Sequence, residues 1–296
     1  MRIIFLLAPL FLLQCCHAQP VEKISTNKDD NTLLWEISGN NLSKPTYLFG
    51  TFHLMCKEDI HFSKELRTAI KNAAEVYFEM DLDDPSNTLG AIFFMNMKDG
   101  KALKDLYTES EYLRLKTFFK DSLQMSLTMF EHMKPNFLEA LLYPKMMPCK
   151  KMSGIEEELM TIAKEEKKEI NGFETIAFQG AVFDSIPYTD QAKELLNTID
   201  SLNFYKKNFD TMLMVYKTQQ LTEIEKMFTK SEFGSTENQD ILLDNRNRNW
   251  VAQLNKILPE KNLFIAVGAG HLVGEKGLIA LLRKAGYTLR PLLNKD

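Results

Sequence analysis

The sequence has few cysteines, no excess of basic residues and no apolar run long enough to span a membrane. Four cysteines among 296 residues exclude a small disulfide-rich scaffold. The formal net charge of −4 gives no electrostatic reason to bind nucleic acid. The apolar run at residues 3–13 is shorter than the ~20 residues that a transmembrane helix needs. What remains is a globular protein, for which 45% hydrophobic and 26% charged residues is an ordinary balance.

Common catalytic signatures are also missing. The sequence contains no Gly-x-Ser-x-Gly motif, no cysteine in a typical nucleophilic context and no glycine-rich phosphate loop.

Residues 1–18 have the features of a signal peptide. Arg2 precedes the apolar run, and Cys16-His17-Ala18 supplies small residues at the positions that a signal peptidase reads. We therefore expect an exported protein in which residues 19–31 form a flexible N-terminal segment. An alternative interpretation takes residues 12–15 as a relaxed bacterial lipobox, which would place a lipid anchor on Cys15.

Two cysteines, Cys56 and Cys149, remain once the leader is removed. A pair of cysteines in an oxidising compartment favours a disulfide, and the alternative is two unrelated buried thiols. If the bond forms, it ties the loop after His53 to the loop before Gly154.

Hydrophobic periodicity predicts strands that alternate with helices at both ends of the chain. Strand patterns occur at residues 32–38, 46–49, 75–82, 169–174, 261–267 and 287–292. Helical patterns fill most of residues 85–150 and 176–258, and shorter ones occur at residues 63–74, 155–167 and 276–284. We predict an α/β fold with a mixed central sheet flanked by helices. It forms a single domain over residues 32–296, with a large helical insertion in the middle of the chain.

Methionines and phenylalanines recur at helical spacing in the first insertion, including Met125 and Met129. We interpret this stripe as core, because burial explains apolar periodicity without a cofactor.

Two short segments share the pattern apolar strand, glycine turn, two residues, histidine, leucine. They are YLFGTFHL at residues 47–54 and FIAVGAGHL at residues 264–272. A histidine just past a buried strand lies where open α/β sheets bind ligands, and Glu79 is predicted at the end of another strand. One sheet would then bring His53, Glu79 and His271 to a common edge. Two imidazoles and a carboxylate are suited to a hydrolytic site for zinc, cobalt or manganese, whereas unconnected polar loop residues are the alternative.

Other polar residues are candidates for the same edge. Glu174, also at a strand end, is suited to act as a ligand or general base, and Asp81 as a group that orients a ligand. Arg246 is suited to clamp a carboxylate or stabilise an oxyanion; the alternative is a solvated helical turn with Trp250 packed on the core. Glu156, at the start of a predicted helix, is a further residue that can face the site.

Five motifs, in this order, resemble the TraB/GumN family. They are GTFHL at 50–54, EMD at 79–81, GFET at 172–175, RN at 246–247 and GAGHL at 268–272. The resemblance covers about residues 32–292. The family includes the Tiki proteins, described as metal-dependent proteases acting on Wnt. The resemblance implies a fold similar to that of the erythromycin esterase and haem-binding ChaN proteins.

The resemblance also implies roles for individual residues. His53 and His271 match the metal-binding or catalytic histidines, Glu79 the accompanying carboxylate and Arg246 a cation that lines the site. Glu174 matches a family position without an assigned role. Phe173 departs from the leucine that is more common in the family, which is a conservative change.

We therefore expect an exported, divalent-metal-dependent hydrolase that acts on a peptide or protein. Manganese, cobalt or zinc would be held by His53, Glu79 and His271, with Glu79, Glu174 and Arg246 in catalytic roles. Wnt is not assumed as substrate, because the short leader suggests a bacterial member of the periplasm or cell envelope. The alternatives are a non-catalytic binding protein for a peptide signal, metal or haem, and a structural exported domain whose histidines only pack.

Overall fold

The computed structural model describes residues 31–81, 83–84, 93–229 and 238–295. The predicted signal peptide, Cys15 and most of the N-terminal segment 19–31 lie outside the described residues. The beginning of the first helical insertion, at 85–92, lies outside them as well. None of the helices in the described ranges is long and apolar enough to cross a membrane.

A mixed sheet of six strands forms the centre of the fold, in the order β6-β4-β7-β2-β1-β8. Its strands are β1 (Leu34–Gly39), β2 (Thr46–Thr51), β4 (Glu75–Met80), β6 (Glu169–Glu174), β7 (Leu263–Gly268) and β8 (Tyr287–Pro291). The neighbours β6, β4, β7 and β2 run parallel, whereas β1 pairs antiparallel with both β2 and β8. Each predicted strand lies within two residues of an observed one, so the predicted mixed sheet is confirmed. A separate two-stranded ribbon joins β3 (Met55–Cys56) to β5 (Met152–Ser153).

Helices cover the sheet and make up the middle of the chain, as predicted for an α/β fold. They are α1 (Lys64–Asn72), α2 (Glu109–Leu123), α3 (Pro135–Ala140), α4 (Tyr143–Met146), α5 (Ile155–Glu165), α6 (Ile176–Asp184), α7 (Tyr188–Asp200), α8 (Leu202–Thr218), α9 (Leu221–Thr229), α10 (Asn245–Ile257) and α11 (Leu278–Lys284). Ser63 caps α1, where its hydroxyl accepts a hydrogen bond from the backbone N–H of Leu66.

The parallel strands β2, β4, β6 and β7 end at one edge of the sheet. Thr51 pairs with Gly268, Phe78 with Ala266 and Met80 with Glu174, so the carboxyl ends of these four strands are in register. Strand β7 is buried along Leu263–Val267, as expected for a parallel strand covered on both faces. This arrangement places whatever follows these strands at one common edge.

Among the described residues, apolar side chains form two clusters, one around the sheet and one among the helices of the insertions. Leu115 and Phe119 of α2 are fully buried in the second cluster. Met125 and Met129 are 40% and 77% exposed, so the prediction that the whole stripe is core was wrong at these two positions. Both lie beyond the end of α2, where the helical periodicity no longer applies.

A buried ion pair fixes α6, the helix that follows β6. The Nζ atom of Lys134 lies 2.8 Å from Asp184 Oδ1 and donates to the carbonyl oxygens of Phe94 and Gly180 at 2.6 and 2.9 Å. The Lys134 side chain is 1% exposed. Burial raises the pKa of Asp184, but hydrogen bonds from Lys134, Tyr188 and Lys98 outweigh it and hold the pKa below the usual value.

Replacing Asp184 with asparagine should destabilise the protein at neutral pH and have little effect in acid. The Asp184 carboxylate stabilises the fold above the ordinary pKa near 3.8, and this stabilisation is lost as the pH falls through its lower folded pKa. We expect Asp184→Asn to cost about 1.5–3 kcal/mol at pH 7. Urea unfolding of both proteins across pH should show the difference shrinking below about pH 4. Asp200→Asn, which removes an exposed pair with Arg114, should cost less than about 1 kcal/mol.

Candidate functional site

His53 lies two residues beyond β2, and its imidazole is held by a carboxylate. Its Nδ1 atom lies 2.7 Å from Glu156 Oε1, and the Thr51 hydroxyl donates to the same oxygen at 2.5 Å. Glu156 stands in the first turn of α5, as the sequence suggested. The hydrogen bond to Glu156 raises the pKa of His53 to about 9. The side chain is 75% exposed.

A disulfide braces the His53 loop, which confirms the predicted bond between Cys56 and Cys149. Their Cα atoms lie 5.8 Å apart, within the ordinary range for a disulfide. The Ile155 N–H donates to the Phe52 carbonyl at 3.2 Å, directly beside His53. Gly154 allows this approach, because a Cβ there would lie 2.8 Å from the His53 carbonyl oxygen.

His271 lies in the short 3₁₀ turn Ala269–His271 that follows β7, and it is 3% exposed. Its Nδ1 atom lies 2.6 Å from Asn247 Oδ1. Since an amide oxygen only accepts, Nδ1 carries the proton and Nε2 keeps its lone pair. Burial lowers the pKa of His271 to about 4, so the ring is neutral at neutral pH. The Trp250 ring packs against the imidazole with centroids 4.4 Å apart.

Glu79 is the carboxylate between the two histidines. Its Oε1 atom accepts from the Gly268 N–H at 2.9 Å and lies 3.6 Å from His271 Nε2. Its Oε2 atom accepts from Arg246 at 2.6 Å. Burial raises the pKa of Glu79, but His271, Arg246, His53 and the Gly268 N–H lower it to about 2. At neutral pH His271 is uncharged, so the Arg246 guanidinium and the protonated His53 are the cations that keep Glu79 ionised.

Arg246 connects the two acidic residues of the site. Its Nε and Nη2 atoms donate to the two oxygens of Glu174 at 2.9 and 2.8 Å, and Nη2 also donates to Glu79. Its Nη1 atom donates to the Leu242 carbonyl at 3.0 Å and faces His271 Nε2 at 3.3 Å. All five N–H groups of the guanidinium therefore have a partner. The interpretation of Arg246 as part of a solvated turn was wrong, although Trp250 does pack in the core, where its Nε1 donates to Glu174.

The space in front of Gly268 is where these groups converge. A Cβ on Gly268 would lie 3.3 Å from Glu79 Oε1, 3.7 Å from His271 Cδ2 and 3.9 Å from His53 Nε2. Both imidazoles use Nδ1 for a hydrogen bond to an oxygen, an arrangement typical of metal-ligating histidines. Imidazole nitrogens and a carboxylate oxygen are the types of donor that bind a divalent metal.

The donor atoms are not drawn together as tightly as in a metal-bound site. Among the described residues, the set of three candidate ligands with donors within 4.8 Å of one another is Cys56, Glu58 and Cys149, not the histidine site. The disulfide leaves that set without a thiolate to bind a metal.

The structure brings together His53, Glu79, Glu174, Arg246 and His271. It places Asp81 in the turn after β4, where its Oδ1 accepts from the backbone N–H groups of Asp83 and Asp84 at 3.3 Å. Sequence reasoning missed the role of Asn247, which orients His271. The RN motif contained the signal, since Asn247 directly follows Arg246 in the sequence.

Comparisons with known proteins agree with the motifs. The model of the TraB/PrgY/gumN family matches residues 33–291. The metalloprotease TIKI1 of Xenopus tropicalis is 23% identical over 87% of this chain and 61% of its own length, and human TIKI1 is 21% identical over the same shares. The metalloprotease TIKI1 of Danio rerio is 33% identical over 90 residues, which are 30% of this chain and 18% of the relative. The chain thus spans at most about three fifths of these relatives. No solved structure matches.

Proposed function

Because the chain belongs to the TraB/PrgY/gumN family, we propose that it is a divalent-metal-dependent hydrolase that cleaves peptide bonds. The observation that carries the proposal is the convergence of two imidazoles and one carboxylate at the carboxyl edge of four parallel strands. Relatives named metalloproteases support the reaction class. The alternative, a non-catalytic binding protein, would use the same edge without turnover.

His53, Glu79 and His271 are the proposed ligands of the metal. When bound, a divalent metal lowers the pKa of water to ~7 and polarises a carbonyl group. His271 is suited to be a ligand because it is already neutral, with Nε2 unprotonated, and a bound metal would replace the 3.3 Å contact that Nε2 makes with Arg246 Nη1. His53 must lose its extra proton on binding, and Glu156 fixes its ring so that Nε2 faces the site.

Glu174 and Arg246 complete the proposed catalytic group in different ways. The Glu174 side chain is 1% exposed and is occupied by Arg246 and Trp250, which favours a positioning role over direct proton transfer. Arg246 holds Glu79 in its ionised state and fixes the orientation of its carboxylate. An oxyanion would have to replace one of the present partners of Arg246, of which His271 Nε2, at 3.3 Å, is the weakest.

Metal analysis and peptide hydrolysis test the proposal directly. The purified protein should bind one divalent ion, and removing the ion with a chelator should stop the cleavage of a mixed peptide library. Adding back manganese, cobalt or zinc should restore cleavage. His53→Ala and His271→Ala should each lose both metal and activity, because each removes a ligand.

His61 provides a matched control, because it is an exposed histidine outside the site. His61→Ala should keep both metal and activity. Metal binding that survives both His53→Ala and His271→Ala would contradict the assigned ligands. Tight peptide binding without cleavage under any metal would instead support the non-catalytic alternative.

We also propose that the protein is exported to the periplasm or cell envelope as a single domain over residues 32–296. The disulfide supports export, because such bonds persist in oxidising compartments. The choice between a soluble protein and a lipid anchor at Cys15 stays a prediction. Mass spectrometry of the mature N-terminus distinguishes cleavage after Ala18 from a lipidated Cys15.

A further inference from the structure

Two cavities meet at the proposed catalytic group. One has a volume of about 640 Å³ and the other about 770 Å³, and His53, Glu79 and Arg246 line both of them. The smaller cavity includes polar residues such as Glu157 and Gln179. We call the larger cavity the apolar pocket. Six apolar side chains from the loop after β2, from α8 and from α9 form its wall: Phe52, Phe209, Met212, Ile224, Met227 and Phe228.

The wall of the apolar pocket is anchored to the sheet. The Phe52 ring packs against Tyr216, with centroids 5.3 Å apart, and against Phe209 at 5.9 Å. The Tyr216 hydroxyl donates to the carbonyl oxygen of Gly50 in β2 at 2.9 Å. Ile224 and Met227 are buried in the core cluster around the sheet. The pocket is therefore largely formed before any ligand binds, as is usual for binding sites.

Phe228 connects the apolar pocket to the turn that carries His271. A Cβ on Gly270 would lie 2.4 Å from the ring of Phe228, so the ring packs directly on the backbone next to His271. A side chain in the pocket would then lie beside the groups that converge on Gly268. Apolar walls next to a polar reaction centre are the arrangement that selects a substrate by one side chain.

We propose that the apolar pocket binds a large apolar side chain of the peptide substrate, such as phenylalanine, leucine or methionine, next to the bond that is cleaved. This proposal rests on the proposed function. The gain comes from removing the apolar side chain from water, and the methionines of the wall can adapt to different shapes. An alanine at the same position of the peptide fills little of the volume, and a charged side chain is not matched by any charge on the apolar wall.

Two experiments on pairs of peptides, a binding titration and a cleavage assay, test the pocket. Fluorescein-labelled peptides that differ only in one residue, phenylalanine or alanine, are titrated against the full-length protein without added metal. Anisotropy should show the phenylalanine peptide binding at least about tenfold more tightly. The same pairs are then incubated with metal, and the cleavage sites are mapped by mass spectrometry. The phenylalanine should lie next to the cleaved bond.

Ala140→Trp tests where the side chain binds, because Ala140 is exposed and lines the apolar pocket. It should reduce the preference for phenylalanine to less than about twofold, since the indole occupies the space. The matched control is Ala177→Trp, on an exposed alanine of α6, which should keep the preference. Met212→Ala is a second variant and should lower the affinity for the phenylalanine peptide by removing wall contacts.

The outcomes separate this proposal from the proposed function. A preference for phenylalanine that Ala140→Trp removes, without cleavage under any metal, would support the pocket and contradict the hydrolase. Cleavage without any preference would overturn the pocket and leave the hydrolase standing. A preference that survives both Ala140→Trp and Met212→Ala would also overturn the proposed pocket, because the phenylalanine side chain would then bind elsewhere.

Discussion

Replacing Arg246 with methionine is expected to lower the free energy of unfolding by about 3–5 kcal/mol. The guanidinium is the counterion of Glu174, whose side chain is 1% exposed, and of Glu79 at 15%. Methionine fills a similar volume but leaves the buried Glu174 without its cation and leaves Glu79 with only the more distant His53. An unpaired buried charge destabilises the folded state by more than a buried ion pair stabilises it. Urea unfolding of the two proteins at neutral pH measures the loss.

Two further variants show whether the loss comes from the buried charges. Arg248→Met, on the exposed side of the same helix, should change stability by less than about 0.5 kcal/mol. Arg246→Met combined with Glu174→Gln should recover part of the loss, because the glutamine is neutral and still accepts the hydrogen bond from Trp250. If the two changes destabilise additively, Arg246 does not act through Glu174.

The sheet and the edge where the site lies were predictable from the sequence. Apolar strand patterns followed by Gly-x-x-His indicated both histidine positions, and the alternation in β4 placed Val76 and Phe78 inside. Parallel strands put their carboxyl ends at one edge of the sheet, so the positions of Glu79 and Glu174 at that edge followed from the fold class itself. Periodicity and topology carry this information, and a single sequence is enough to read them.

The partners of each site residue were harder to predict, because they come from distant parts of the chain. Asn247 contacts His271 across 24 residues and Glu156 contacts His53 across 103 residues. Spacing gives no reason to pair them. The direction in which Arg246 points was also undetermined, since a helical arginine next to a buried tryptophan either packs inward or extends into solvent. Only the tertiary packing of α10 against the sheet edge decides it.

Breaking the disulfide between Cys56 and Cys149 is expected to reduce stability by about 2–5 kcal/mol. The bond closes a loop of 93 residues, which greatly restricts the unfolded chain. It also joins β3, three residues after His53, to the segment just before β5. Cys56→Ala should therefore lower both the melting temperature and the affinity of the site for its metal. Calorimetry and metal titration measure the two effects.

The effect of a reductant shows whether the loss of stability comes from breaking the bond or from removing the volume of the sulfur atoms. Cys56→Ala and Cys149→Ala should destabilise to about the same extent, because each removes the same bond, and the double variant should be no worse than either. Dithiothreitol should lower the melting temperature of the unmodified protein and leave the variants unchanged. A double variant much less stable than either single variant would mean that packing at the two positions dominates. Loss of metal affinity in all three variants would show that His53 needs the brace to stay close to Glu156 and to the groups at Gly268.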